Sequence, residues 1–143
     1  MMSHEDCIFC KIIAGDIPSA KVYEDEYVYA FLDLSQVAKG HTLVIPKQHA
    51  RNIYDTPEDV ASELFARVPI ISNAIKAAYA PDGLNILVNN EVAADQSVFH
   101  LHIHLIPKYE NTEGYSANWI THQDDYGPED LQEIAKNIGK KIN

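Results

Sequence analysis

Between residues 97 and 107 the chain runs Ser-Val-Phe-His-Leu-His-Ile-His-Leu-Ile-Pro, with histidine and aliphatic residues in strict alternation from His100 onward. A β-strand turns successive side chains to opposite faces, so this pattern predicts a half-buried strand with His100, His102 and His104 on one face, about 6.6 Å apart. Leu101, Ile103 and Leu105 then take the opposite face and must cover a core. Pro107 has no N–H to give to a ladder and is expected to end the strand.

Short apolar and aromatic runs bounded by turn residues predict strands at 22–24 and 27–32, joined through the acidic turn Asp25-Glu26, and at 42–45 between Gly40 and Pro46. A further strand at 84–88 leads through the polar stretch 89–95 to the histidine strand, its expected antiparallel neighbour. Residues 7–13 fit a short helical turn closing near Gly15. Thr56-Pro57-Glu58-Asp59 supplies an N-cap, a proline at the first helical position and acid in the first turn. The helix it opens carries Val60, Leu64, Phe65, Val68, Ile71, Ile75 and Tyr79 at helical spacing, and Pro69 is expected to kink it between Phe65 and Pro69. Pro128 and Glu129 open a last helix whose apolar face, Leu131, Ile134, Ile138 and Ile142, needs cover from the sheet or a partner. Strands interrupted by one long kinked helix, with a C-terminal helix to close, indicate an α+β fold with a mainly antiparallel sheet.

Composition narrows this picture. At 143 residues, 46% hydrophobic and 22% charged, the whole span 1–143 is expected to be one domain with its own core. No apolar run is long enough to span a bilayer, and Met-Met-Ser-His-Glu-Asp-Cys lacks the basic and apolar regions of a signal peptide, so a cytoplasmic location without membrane attachment is expected. Cys7 and Cys10 in C-x-x-C spacing then favour metal or redox chemistry over a structural disulfide. A formal charge of −10 opposes binding to nucleic acid and leaves a small, locally neutralised anion as the expected partner.

The histidine row supplies the chemistry. Imidazole titrates near neutrality and can attack, donate a proton or bind a metal. All three rings on one ion is disfavoured, because the outer Cα atoms of an extended strand stand roughly 13 Å apart while zinc takes its nitrogens at about 2 Å. A middle ring held at one nitrogen presents a lone pair at the other.

The pattern His-x-His-x-His-x-x with apolar x resembles the histidine triad proteins, and residues 100–106 match it fully. The resemblance continues through Cys7-Ile-Phe-Cys-Lys-Ile-Ile, Ile17-Pro18, Phe31-Leu-Asp-Leu, Gly40-His-Thr-Leu-Val-Ile-Pro-Lys and Gln96-Ser97. It implies that His102 attacks the α-phosphorus of a nucleotide and that His104 donates to a non-bridging oxygen. Ser97 would protonate the leaving group, with Gln96 and Asn89 on phosphate oxygens and His41 as a further site histidine. A purine nucleotide would lay its base against Ile8, Phe9, Ile17, Phe31 and Leu34 and its ribose hydroxyls on Asp33. Zinc-containing relatives place ligands at positions matching Cys7, Cys10, His49 and His100, a Cys₂His₂ set for a structural zinc that would anchor the strand's start and leave His102 free to react. The resemblance also implies a homodimer.

The expected activity is hydrolysis of nucleoside 5'-phosphoramidates through a nucleotidyl-histidine. A dinucleoside polyphosphate hydrolase, a nucleotidyltransferase and a non-catalytic nucleotide-binding regulatory module stay open. The chain departs from its relatives at Asp95, where many have glycine before the Gln-Ser pair. An acid there, beside a phosphate site, either faces solvent at little cost or narrows the choice of substrate.

Overall fold

A computed structural model describes residues 5–110 and 112–142; Met1 to His4, the first part of the expected leaderless N-terminus, lie outside them. The fold is α+β. Helix α1 (Ile8–Ala14) precedes strands β1 (Lys21–Glu24), β2 (Val28–Leu32) and β3 (Thr42–Pro46), followed by helices α2 (Glu58–Ala66) and α3 (Val68–Tyr79), strands β4 (Gly83–Leu87) and β5 (Ile103–Lys108), and helix α4 (Pro128–Gly139). The five strands form one sheet in the order β1-β2-β3-β5-β4, every neighbouring pair antiparallel.

Both faces of this sheet are covered, which is why β2 and β3 are buried almost without interruption. Val28 and Ala30, Val44, and Leu101, Ile103 and Leu105 point to one side, against Leu64, Val68, Ile71 and Ile75 of α2 and α3. Tyr29, Phe31, Leu43 and Ile45 point to the other, against Phe9 and Ile12 of α1. The alternation of β5 thus sends its aliphatic residues under the two helices and its histidines to the α1 side.

The predicted long helix is two helices. Pro69 cannot give an N–H to the preceding turn, and the chain restarts so that this proline falls in the first turn of α3, where a missing N–H has no cost. Arg67 is the joint. Its backbone N–H caps Leu64 and Phe65, its guanidinium reaches the Glu63 carbonyl at 3.0 Å and carboxylate at 2.6 Å, and it pairs with Asp25 of the β1–β2 turn at 2.8 Å. The cap of α2 is Pro57, without a side-chain bond, because the Thr56 hydroxyl donates to the Asn52 carbonyl at 2.7 Å instead.

The histidine strand is shorter than its alternation predicts. Val44 pairs with Ile103, so continued register would set Pro46 opposite Leu101. Pro46 has no N–H to offer, and its carbonyl is taken by the His100 ring. The Leu101 N–H goes to the Ala50 carbonyl at 2.8 Å. His100 and His102 therefore lie in the lead-in to β5. At the other end the strand runs past Pro107 to Lys108, since pairing with β3 has ended at Thr42 opposite Leu105 and the missing N–H disturbs no ladder on that side. Helix α4 does not lay its predicted apolar residues on the sheet: Leu131, Ile134 and Ile138 are exposed, as is Ile142 just beyond its end. No helix among the described residues is long and apolar enough to cross a membrane.

Candidate functional site

Cys7 caps α1, its sulfur accepting the Cys10 N–H at 3.3 Å, and so the first turn of a seven-residue helix places two sulfurs on one side. The lead-in to β5 brings His100 to them, and the segment after β3 brings His49. Cys7 Sγ lies 3.3 Å from His100 Nδ1, Cys10 Sγ lies 3.4 Å from His49 Nδ1 and 3.5 Å from His100 Nδ1, and the two Nδ1 atoms stand 3.2 Å apart. A tetrahedral zinc with sulfur at about 2.3 Å and nitrogen at about 2.1 Å sets its ligands roughly 3.3–3.8 Å from one another. All four ligand atoms fall within 4.8 Å, so this cluster could hold a metal ion. The chemistry of the donors agrees with the spacing. His100 Nε2–H donates to the Pro46 carbonyl at 2.8 Å, which leaves a lone pair on Nδ1 directed at the sulfurs. Burial raises the Cys7 thiol above its ordinary value; the Cys10 N–H opposes the shift and the Cys10 thiol adds to it, so a stable thiolate there needs a cation.

From His100 the backbone controls the next histidine. His102 Nδ1–H donates to the His100 carbonyl at 2.7 Å, which fixes the neutral ring with its lone pair on Nε2. Burial lowers the imidazole's pKa below the ordinary value, only partly offset by that hydrogen bond and by Asp33. Phe9 and this ring meet edge to face, 5.2 Å between centroids.

His104 is set by a second relay. The Val37 N–H donates to His41 Nδ1 at 3.2 Å, so neutral His41 carries its proton on Nε2 and gives it to His104 Nδ1 at 2.9 Å. His104 must then hold its own proton on Nε2, as a donor. Burial, followed by the neighbouring His102 and His41, pushes His104 down to about 4, and burial lowers His41 as well. Asp33 Oδ2 lies 3.6 Å from His41 Nε2. Asp33, His41 and His104 also approach within metal-binding range, but their nearest atoms are engaged with one another in this relay.

His102 and His104 open into a cleft of about 440 Å³ on the α1 side of the sheet. Ile8, Phe9, Ile17, Phe31 and Leu34 form its apolar part; Asp33, Asn89 and Ser97 stand on its polar margin. These ten positions, scattered through the sequence, are brought to one cavity. Phe9 and Phe31 meet edge to face at 5.4 Å, while Leu34 is 94% exposed and forms a rim. His100 and His41 stand behind the cleft, each holding one of the two histidines that face it.

Gln96 occupies a different position from the one expected of a phosphate contact. It is 4% exposed, and its amide is fully engaged: Nε2 donates to the Arg51 and Val98 carbonyls at 2.7 and 3.0 Å, and Oε1 accepts from Asn52 Nδ2 and the Glu91 N–H at 3.1 and 2.8 Å. Glu91, at φ 77°, is anchored by Arg51 and Asn52, which hold its carboxyl down at about 2. Gln96 thus clamps the loop that presents Ser97. Sequence reasoning passed over Ile12, Leu43 and Val98, which also line the cleft. The first two were legible in principle, Ile12 as one turn on from Phe9 and Leu43 as two residues on from His41.

Residues 14–111 match the HIT domain. The chain is 59% identical over 138 residues to Protein hit of Bacillus subtilis, covering 96% of this chain and 95% of that protein. It is 38% identical over 130 residues to an adenosine 5'-monophosphoramidase of Candida albicans, covering 88% and 86%. A crystal structure of a HIT family protein from Bacillus anthracis superposes with a TM-score of 0.95 at 52% identity, covering 99% of this chain and 100% of that one. That of a Zn-bound histidine triad family protein from Mycobacterium smegmatis superposes with a TM-score of 0.73 at 32% identity, covering 92% and 97%. With the domain match, the relatives and the fold in agreement, the chain belongs to the HIT family.

Proposed function

We propose that this protein hydrolyses nucleoside 5'-phosphoramidates, with His102 as the nucleophile. The observation that carries the reading is the pair of fixed tautomers at the floor of the cleft: His102 with a lone pair on Nε2, and His104 with a proton on Nε2. One can attack phosphorus while the other meets charge on a phosphoryl oxygen. His102 Nε2 forms a bond to the α-phosphorus as the P–N bond breaks, and the departing amine takes a proton from Ser97. Water then attacks phosphorus, its oxygen bonding there as the bond to His102 breaks and its proton passing to Ser97, which releases nucleoside monophosphate and restores both the imidazole and the hydroxyl. Phe9, Phe31 and their apolar neighbours suit a purine ring, and Asp33 suits vicinal ribose hydroxyls. The name of the Candida albicans relative agrees with this chemistry.

Cys7, Cys10, His49 and His100 would hold a zinc ion, which supplies a rigid anchor for the His100 ring and no open coordination position for substrate. A second copy of the chain is the proposed cover for the exposed apolar residues of α4.

Three outcomes follow from these assignments. His102→Ala should lower kcat on adenosine 5'-phosphoramidate by about 10⁴-fold or more; turnover near the wild-type rate would remove His102 from the nucleophile's place. The second concerns pH. Attack requires neutral His102, and burial disfavours its charged form, so protonation and loss of activity come only below the ordinary imidazole value of 6.5. The acid limb of kcat/KM should therefore fall below pH 6.5, and a limb at or above that value contradicts the assignment. Third, metal analysis of protein purified without chelator should give about one zinc per chain, and Cys10→Ala should lose it with a fall in Tm. Zinc-free protein with an unchanged Tm would contradict the anchor.

A further inference from the structure

The cleft proposed to receive phosphorus has no lysine or arginine among its lining residues; the charged residues that line it are Asp33 and Asp95, both acidic. The chain as a whole carries a formal −10. One phosphoryl charge can be met by neutral donors, but a second or third anionic group on the substrate would find nothing positive in the cavity and a negative field around it.

The lining residues also have an order across the sheet. Asp33 follows β2, Leu43 lies on β3, His104 lies on β5 with His102 just before it, and Asn89 and Asp95 belong to the segment after β4. With the nucleoside over β2 and β3 and phosphorus at His102, the group bonded to the far side of phosphorus lies toward β4. Asp95 stands there. Asn89 Nδ2 approaches its carbonyl at 3.5 Å, and Ser97 follows two residues later. The Asp95 backbone is left-handed, at φ 70°, a conformation that disfavours most residues with a Cβ and that aspartate and asparagine tolerate best. Its neighbour Gln96 is buried and bonded at both ends of its amide, so the acid is carried on a fixed segment.

We infer that Asp95 is a specificity-determining residue that selects leaving groups by charge, favouring amines that carry a second, protonated amino group and rejecting leaving groups that are anionic. The assignment rests on the phosphoramidase reading above and narrows its substrate class to nucleoside 5'-phosphoramidates of diamine-type amines. Dinucleoside polyphosphates and acyl or sulfuryl adenylates with anionic leaving groups fall on the disfavoured side.

The test compares two substrates with the same P–N bond, the adenosine 5'-phosphoramidates of 1,3-diaminopropane and of β-alanine, which end in an ammonium and a carboxylate. Wild-type kcat/KM should favour the ammonium substrate. An exposed charge pair is worth a factor of about three, so with one attraction and one repulsion the ratio should fall about tenfold in Asp95→Asn, and high salt should shrink the wild-type ratio similarly. Asparagine keeps the tolerance for the left-handed backbone. An unchanged ratio, including one in which both substrates slow alike, overturns the role of Asp95. Should the wild type fail to release AMP over many turnovers from the unsubstituted phosphoramidate, the phosphoramidase reading falls and this assignment with it. Turnover of that substrate with an unaltered ratio removes only the assignment.

Discussion

The hydrogen bond from the His102 ring to the backbone carbonyl two residues before it, 2.7 Å long, is the constraint on which the account of this site depends. A neutral imidazole has one proton and one lone pair, and this bond decides which nitrogen carries which. Its acceptor belongs to a residue whose side chain is itself fixed, between the Pro46 carbonyl on one nitrogen and two cysteine sulfurs and His49 on the other. The cysteine and histidine cluster therefore acts on the His102 ring through one backbone unit: it positions the carbonyl, and the carbonyl positions the proton. His104 is set independently, from the other direction, by the relay that begins at the Val37 N–H. Two rings on the same face of one segment thus end with opposite capacities toward a ligand.

The fold makes this division possible by burying the sheet on both sides. Leu101, Ile103 and Leu105 are at most 1% exposed beneath α2 and α3, which gives the histidine segment its footing. On the opposite side α1 and its cap carry out two tasks: Cys7 and Cys10 face His49 and His100, while Phe9 meets His102 and Phe31 edge to face and lines the cleft. Desolvation by this arrangement lowers His102 and His104, which face the cleft, and His41 behind them. Burial keeps the rings neutral, so the tautomers carry the chemistry.

Much of this was legible in the chain. The alternation of histidine with leucine and isoleucine gave the two faces of β5, the C-x-x-C spacing with its following glycine gave α1, and Pro69 marked where the long helix is interrupted, though as a kink and not as the break between two helices. What escaped was set by partners distant in sequence. The histidine segment enters the sheet only at Ile103 because continued register would set a proline opposite Leu101, and no local pattern around the triad contains that information. Gln96 resembles a ligand contact by its place beside Ser97, yet its amide is spent on Arg51, Asn52, Glu91 and Val98, three of them 5 to 45 positions away. The apolar side of α4 was visible as a stripe, but periodicity shows which residues share a face and not what covers it. Tautomers are invisible to sequence altogether, since they follow from which atoms meet.

The central claim is that the protein fixes the proton of His102 on Nδ1 and leaves Nε2 bare at neutral pH. Nitrogen-15 NMR of the imidazole side chains reports this directly, because protonated and unprotonated ring nitrogens resonate far apart. Above pH 6.5 the account predicts for His102 a protonated Nδ1 and a lone-pair Nε2, with the reverse pattern, Nε2 protonated, for His104. A His102 ring found protonated on Nε2, or on both nitrogens at that pH, would contradict it.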